Sequence, residues 1–285
     1  MAFDEHQFIA WATSGGPGNC TVGAGDDAAV LADGTVVALD TIVEGVHFEK
    51  GVAPDLLAQK AVGSCLSDLC AMGAVAETVF VSAQLSPGCD GRSLAEALAG
   101  WCADFGVVLA GGDTVRAPEG ALALSVTAVG RCDGAPWLRS GGQPEDLLVL
   151  TGPLGGSRGG RHLRVKPRQD VVRKVKEDGL TVHACIDVSD GLGIDLSRLC
   201  RASGVGALVK AEQLPIHSDV GRERDGLAAA LGDGEDFELL LAMPAGSSLP
   251  PEWVPIGTLL TRGSLLLERH GDSFPWPETG HVHSI

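Results

Sequence analysis

The sequence has no tyrosine, and its aromatic residues together make up only 4 % of the chain. Small apolar residues and 40 glycines take their place, so we expect a core of small side chains linked by many tight turns. The apolar share is still 45 % over 285 residues. A chain of this size can form one large domain or two ordinary ones.

Basic residues are also scarce. Lysine and arginine number 21 against 37 aspartates and glutamates, which gives a formal net charge of −16. No run is rich in lysine or arginine, so the sequence argues against a face that neutralises nucleic-acid phosphates. A nucleotide could still bind if metal ions supplied positive charge, and Mg²⁺ is a hard cation that prefers carboxylate oxygens.

Several well-known motifs are missing. None of the eight cysteines forms a CxxC pair, which favours free buried thiols in a reducing compartment. No segment has the length and apolarity of a membrane span, and the first residues are acidic where a secretory signal is basic. The glycine loop GPLGGSRGG, which contains Arg158, lacks the Gly-Lys-Ser/Thr of a Walker A loop. We therefore expect no membrane partner and a cytoplasmic location.

Hydrophobic patterns predict helices and strands that alternate along the chain. In the first half, strands are predicted at 35–48, 77–86, 107–114 and 121–130, with helices at 54–74 and 93–106. In the second half, strands are predicted at 147–151, 184–187, 205–210 and 236–242, with helices at 168–178 and 190–203. The stretch 133–146 between them is rich in glycine and proline and predicts a domain boundary. We divide the chain into domains at 1–135 and 136–285.

Six aspartates lie at the ends of apolar segments or among apolar neighbours. They are Asp27, Asp40, Asp68, Asp113, Asp187 and Asp190. Taken singly, most have a plain structural explanation, because aspartate and glycine favour turns. Asp68 fits a buried position with a partner and a solvated helix face equally well. If these residues converged on one cleft, they would form a site for several Mg²⁺ ions.

Other candidate residues also have simple structural interpretations. Ser189 is suited to cap the helix that follows it, and Glu235 could belong to a turn before a strand. His47 lies between Val46 and Phe48 and would by default be a core or edge histidine. His281 and His283 are spaced like metal ligands, but a solvated tail is the simpler expectation.

Seven motifs follow one another between about residue 23 and residue 258. They are GDDAAV, DTIVEGVHF, LSDLCAMGA, GGDT, RSGGQPED, IDVSDGL and GEDFELL. In this order they resemble the thiamine-monophosphate kinases, a family of the PurM-like superfamily that includes aminoimidazole-ribonucleotide synthetase. The pair VEGVHF and LSDLCAMGA is the most specific part of this resemblance.

The resemblance implies a two-domain PurM-like kinase fold, α/β and α+β, with a C-terminal α+β domain. It implies a homodimer that pairs through the N-terminal domains. The implied reaction moves the γ-phosphoryl group of ATP onto thiamine monophosphate, with several Mg²⁺ ions and thiamine diphosphate as product. Because the acceptor is already an ionised phosphate, no general base is expected.

The resemblance also assigns roles to single residues. The matches to Mg²⁺ ligands are Asp27, Asp40, Asp68, Asp113, Asp187 and Asp190. The matches to ATP contacts are Phe105, Gly112, Arg139 and Ser189. The matches to contacts with thiamine monophosphate are His47, Glu235 and Trp276.

The chain departs from the family pattern at several places. Ala38 and Leu39 stand where the family has a hydroxyl residue before Asp40, and Phe105 replaces a tyrosine near the nucleotide. The segment between the glycine loop and the strand at 184–187 is shorter than usual. Two alternatives therefore stay open: another ATP-dependent PurM-like synthetase, or a nucleotide-binding homologue without catalytic activity.

Overall fold

The computed structural model describes residues 5–16, 18–261 and 263–281. No helix in these ranges is both long and apolar enough to cross a bilayer. The α-helices are α1 Glu5–Ala12, α2 Pro54–Ala71, α3 Gly91–Asp104, α4 Gln169–Glu177, α5 Leu192–Ser203 and α6 Gly226–Gly232. The strands are β1 Cys20–Val22, β2 Ala29–Leu31, β3 Thr35–Val43, β4 Ala74–Leu85, β5 Val108–Arg116, β6 Ala123–Cys132, β7 Leu147–Leu150, β8 Ala184–Asp187, β9 Gly206–Lys210, β10 Leu239–Met243, β11 Val254–Leu260, β12 Leu265–Arg269 and β13 Asp272–Pro275.

The first half of the chain forms a six-stranded sheet in the order β1-β2-β3-β6-β4-β5. Neighbouring strands run antiparallel except β4 and β5, which are parallel. Helices α2 and α3 cover one face, which buries Val36, Val79 and Leu124 completely. The side chains that alternate with these point to the opposite face. Large apolar residues are exposed there: Leu39, Val75, Phe80, Val108 and Val115.

The second half forms a seven-stranded sheet in the order β13-β12-β9-β11-β7-β10-β8. It is antiparallel apart from the β9–β12 pair. Helix α5 packs on one face through Leu196 and Leu199. Helix α4 and the last turn of α2 pack on the other face, where Cys70 and Ala71 meet Val171. Helix α2 therefore contacts both sheets and links the two halves.

The elements with strong local signals lie close to their predicted positions. Helix α2 begins at Pro54 and ends three residues early, because Met72 is its C-cap and Gly73 adopts a left-handed φ of 68°. A side chain at Gly73 would also collide with the Trp137 ring. Strand β3 ends at Val43 rather than at residue 48. Gly45, with φ 79°, starts a turn there.

The division of the chain at 135/136 falls between β6 and β7, the last strand of one sheet and the first of the other. It stays our proposal for the domain limit. Helices α1 and α6 and the short strands β1, β2, β11, β12 and β13 had no sequence prediction. Three to eight residues are too few to carry a clear period.

Candidate functional site

A cleft of about 780 Å³ is lined by residues from both halves of the chain. Seven of the residues to which the resemblance assigns a site role line it: Asp40, His47, Asp68, Arg139, Ser189, Asp190 and Glu235. They come from β3, the turn after it, the C-terminal part of α2, and three separate loops. Packing of α2 against both sheets brings these distant segments together.

Three carboxylates gather beside this cleft, and Asp68 is the one that lines it. Asp27, Asp68 and Asp187 each offer an oxygen within 4.8 Å of the others. Asp68 is in the last two turns of α2, and Asp187 is the final residue of β8. The Ser67 hydroxyl donates a 2.7 Å hydrogen bond to Asp187. Asp68 is half-buried at the cleft and faces other carboxylates, rather than lying on an open helix surface.

The cluster is electrostatically strained. Burial raises the pKa of Asp68 well above its usual range, and the Asp187, Asp40 and Asp27 carboxylates raise it further. Burial likewise raises the pKa of Asp187, with Asp27 adding to it, while the bond from Ser67 opposes the shift. A divalent cation at this point would offset the repulsion between the three carboxylates. The donor set, three oxygen ligands at one buried point, fits Mg²⁺.

Arg139 forms the positive part of the cleft wall. Its side chain donates two hydrogen bonds to Asp27, at 3.2 and 2.9 Å, and its backbone N–H donates to Asp26. Burial alone would lower the pKa of Arg139, but the Asp27, Asp187 and Asp26 carboxylates raise it above the normal value. Arg139 is therefore a fixed cation at the cleft. Asp26 had no predicted role, and its carboxylate accepts the hydrogen bond from the Arg139 backbone N–H.

The N-terminus of α5 differs from the prediction. Ser189 does not cap the helix, because α5 begins at Leu192 and its N-cap is Gly191. Instead the buried Asp195 carboxylate accepts hydrogen bonds from the N–H groups of Ser189, Asp190 and Gly191, at 3.0–3.1 Å. Asp195 had no predicted role. This arrangement frees the Ser189 side chain from a capping role at the cleft.

Arg198 was missed as well, although its i,i+3 spacing from Asp195 is typical of a helical ion pair. It bridges Asp190 at 2.6 Å and Asp195 at 2.8 Å. Arg198 also lines the cleft, together with Arg139, Arg158 and Arg201. Among the residues that the structure describes, four arginines thus line the cleft of this strongly acidic chain.

The loop before β10 has an unusual backbone. Glu235 and Phe237 have φ of 52° and 53°, values that cost energy for residues other than glycine. Asp236 lies between them. The Gly155 N–H donates to both oxygens of its carboxylate, and Arg161 donates one further hydrogen bond to it. The Glu235 N–H donates to the Ser189 carbonyl at 2.6 Å. This loop is therefore a fixed feature that aims Glu235 at the cleft, rather than an ordinary turn.

Two of the histidines in the described ranges line the cleft. The Nδ1 atom of His47 accepts a hydrogen bond from the Val43 N–H at 3.0 Å, so the neutral ring carries its proton on Nε2. His281 is exposed, as expected for a solvated tail, but its backbone is anchored. Its N–H donates to the Asp190 carbonyl at 2.9 Å, and the residue lines the cleft. His283 lies outside the described residues.

Four of the predicted site residues lie elsewhere. Gly112 and Asp113 are on the edge strand β5, where a Cβ on Gly112 would approach the Val81 carbonyl oxygen to 1.8 Å. Phe105 is the C-cap of α3 and packs against Trp101, with ring centroids 5.3 Å apart. Trp276 is buried in the core of the second domain and donates to the Gly193 carbonyl. Its position is that of a packing residue, and its contact with substrate stays a prediction.

Comparison with known proteins places this chain in a family. The models of AIR synthase related protein match residues 25–132 for the N-terminal domain and 120–248 for the C-terminal domain. The thiamine-monophosphate kinase of Rhodopirellula baltica is 37 % identical over 272 residues, which cover 88 % of this chain and 84 % of the relative. The chain belongs to the thiamine-monophosphate kinase family. The family member from Methanopyrus kandleri is 34 % identical over 240 residues, 77 % of each chain.

Solved structures of thiamine-monophosphate kinases have the same architecture. AaThiL complexed with AMPPCP and TMP superposes with a TM-score of 0.86 at 24 % identity, over 98 % of this chain and 97 % of that one. The thiamine-monophosphate kinase from Stenotrophomonas maltophilia K279a gives a TM-score of 0.72 at 28 % identity, over 95 % and 98 %. The predicted fold of two PurM-like domains is confirmed.

Proposed function

We propose that this thiamine-monophosphate kinase family member transfers the γ-phosphoryl group of ATP to thiamine monophosphate and forms thiamine diphosphate. The observation that carries the proposal is the cluster of Asp27, Asp68 and Asp187 at the wall of a cleft lined by arginines. Family membership supports it. The solved AaThiL structure, which shares the fold, holds AMPPCP and TMP.

The residues that would hold Mg²⁺ are the clustered Asp27, Asp68 and Asp187, with Asp40 and Asp190 beside them on the cleft wall. When bound, the metal ions neutralise phosphate charge and lower the repulsion between donor and acceptor phosphates. Arg139, Arg158, Arg198 and Arg201 add charge-assisted hydrogen-bond donors for phosphate oxygens. Ser189 supplies a further polar contact for the nucleotide. We propose that these side chains position two anionic substrates and that no side chain abstracts a proton.

The experiment that tests the reaction is a coupled assay with ATP, Mg²⁺ and thiamine monophosphate, with thiamine diphosphate identified as the product. Replacing thiamine monophosphate by thiamine, or Mg²⁺ by a chelator, should abolish turnover. Product formation would exclude both alternatives, a different PurM-like synthetase and an inactive homologue. ATP binding without any transfer would support the inactive homologue instead.

His47 and Glu235 are proposed to contact thiamine monophosphate. For His47→Asn and Glu235→Gln, we expect KM for thiamine monophosphate to rise about tenfold, with KM for ATP changed less than about threefold. Asn and Gln keep the size of each side chain but remove the ring or the charge that the acceptor substrate would meet. Steady-state kinetics with each substrate varied in turn checks this. A rise mainly in KM for ATP would show that the two roles are assigned to the wrong substrate.

We also propose a homodimer formed through the exposed face of the first sheet. Asp113 points to that face, since it pairs with Ser82 on β4. Three strand spacings, about 14 Å, separate its strand from that of Asp40. Phe105, Gly112 and Asp113 all lie on or beside β5. A second chain seated on the apolar face would explain how these three proposed ATP and Mg²⁺ contacts could reach a site built elsewhere.

The dimer can be tested by placing a charge on this face. We expect Phe80→Glu to convert a sedimenting species of twice the chain mass into a monomer and to reduce turnover, because a buried carboxylate would be unpaired at the interface. Phe274→Glu is the matched control, since Phe274 is exposed to a similar degree on β13 of the other sheet. Sedimentation velocity at micromolar concentration gives the mass. A wild-type monomer there would contradict the proposal.

A further inference from the structure

Lys60 is a buried cation with an unusual partner. Its side chain is 1 % exposed, and its ammonium forms an ion pair with Glu235 on the opposite domain. The same group donates to the His162 carbonyl at 3.3 Å and lies 5.9 Å from the centroid of the Phe237 ring. A lysine is almost never buried this completely without a specific charge partner. Here that partner is a carboxylate that lines the cleft.

The surroundings of Lys60 explain why it stays in place. It lies on α2, which the segment at 161–165 crosses closely. Gln59 donates a hydrogen bond to the Val165 carbonyl at 3.2 Å. A Cβ on Gly63 would come within 2.8 Å of the Val165 side chain. The helix therefore holds this segment by close contact and by hydrogen bonds, and Lys60 is the member of the group that reaches Glu235.

Glu235 lines two cavities of the protein. It lines the 780 Å³ cleft and also a second cavity of about 670 Å³. Phe237 lines both as well, and both residues have the left-handed φ described above. Such backbone conformations persist only where the surrounding contacts determine them. The Lys60 ion pair is one such contact, and it is made by the side chain of Glu235 itself.

We propose that Lys60 is a positioning residue for the acceptor substrate. It ties the Glu235 carboxylate to α2, so that Oε1 is held by the ammonium and Oε2 is offered to a positively charged or N–H-bearing group of the substrate. This inference rests on the proposed kinase function, because it deepens the role given to Glu235. Lys60 acts through Glu235 and does not touch the transferred phosphoryl group.

The loss of Lys60 would have two effects on Glu235. The carboxylate would lose its cation beside two further acidic residues of the same loop, Asp233 and Asp236. The Glu235 side chain would also be free to adopt other rotamers. Substrate binding would then have to order this side chain, and the lost entropy would reduce the binding free energy. The loss of a fixed carboxylate position weakens binding of the acceptor substrate. Neither effect changes the aspartates and arginines that would hold ATP and Mg²⁺.

The test compares Lys60→Met with Gln59→Met. Both residues are buried neighbours on α2 and both bond to the segment at 161–165, but only Lys60 contacts Glu235. For Lys60→Met, we expect KM for thiamine monophosphate to rise about tenfold or more, with KM for ATP within about threefold of wild type. Gln59→Met should lower the melting temperature while leaving the ratio of the two KM values unchanged. Equal shifts of that ratio in both variants would reduce Lys60 to a structural role and overturn the inference.

A double-mutant cycle gives the second criterion. In a Glu235→Gln background, Lys60→Met should add less than about twofold to KM for thiamine monophosphate, because the pair is already broken. Full additivity would also overturn the inference. If Lys60→Met does not fold, Lys60→Gln, which keeps a hydrogen-bond donor without the charge, takes its place in the same cycle. A wild-type enzyme without kinase activity would refute the proposed function instead, and the coupled assay on wild type detects that separately.

Discussion

Asp27→Asn is expected to lower turnover by about a hundredfold or more at ordinary Mg²⁺ concentration, because it removes one charge from a preorganised site. Asparagine keeps the size and the turn-forming hydrogen bonds of aspartate. A residue that only shapes the turn would therefore tolerate the change. Asp27 also holds the Arg139 guanidinium by two hydrogen bonds. The substitution thus disturbs both the metal ligand set and the cation next to it.

The measurement for Asp27→Asn is turnover across a Mg²⁺ titration, with the melting temperature followed with and without Mg²⁺-ATP. Asp33→Asn is the matched control, since Asp33 is an exposed turn residue whose carboxylate accepts the Thr35 N–H at 3.0 Å. Asp33→Asn should be close to wild type in all readouts. Near-normal turnover of Asp27→Asn at the same Mg²⁺ concentration would mean that Asp27 is a turn residue and no ligand.

Asp68→Asn is expected to abolish measurable transfer and, without divalent cation, to raise the melting temperature by about 2–4 °C. A carboxyl group whose pKa is raised in the folded protein opposes folding at neutral pH, because the unfolded chain holds the charge more easily. Burial and the neighbouring Asp187, Asp40 and Asp27 raise the pKa of Asp68. Removing its charge therefore relieves strain in the metal-free protein.

Asp146→Asn is the control, and its melting temperature is expected to change in the opposite direction. Asp146 is buried outside the cleft, but its carboxylate is satisfied by the Gln143 N–H at 2.8 Å and by the His183 ring. Its substitution should lower the melting temperature and leave the response to Mg²⁺ intact. Calorimetry with and without Mg²⁺ distinguishes the two variants. A lower melting temperature for Asp68→Asn, with a normal increase on adding Mg²⁺, would contradict the cation site.

Much of the fold could be predicted because its main elements have strong local signals. Helix α2 has proline at its first position and a glycine just beyond its C-cap. Strand β8 was located at 184–187 from a short apolar run that ends in an aspartate. Strands β1 and β2, of three residues each, have no such signal, and the Asp195 cap was hidden because an aspartate inside a helix has no characteristic pattern. The order of the strands in each sheet also lay beyond local patterns.

The sequence by itself determined the family, the aspartates that could bind Mg²⁺ and most of the helices and strands, because motif order and hydrophobic period are properties of short segments. Only the tertiary structure decided which of these residues meet. It brought Asp27, Asp68 and Asp187 within 4.8 Å of one another and kept Asp113 on a separate edge strand. It also paired Lys60 with Glu235, 175 residues apart. Such contacts depend on how α2 packs between two sheets, and no local pattern contains that information.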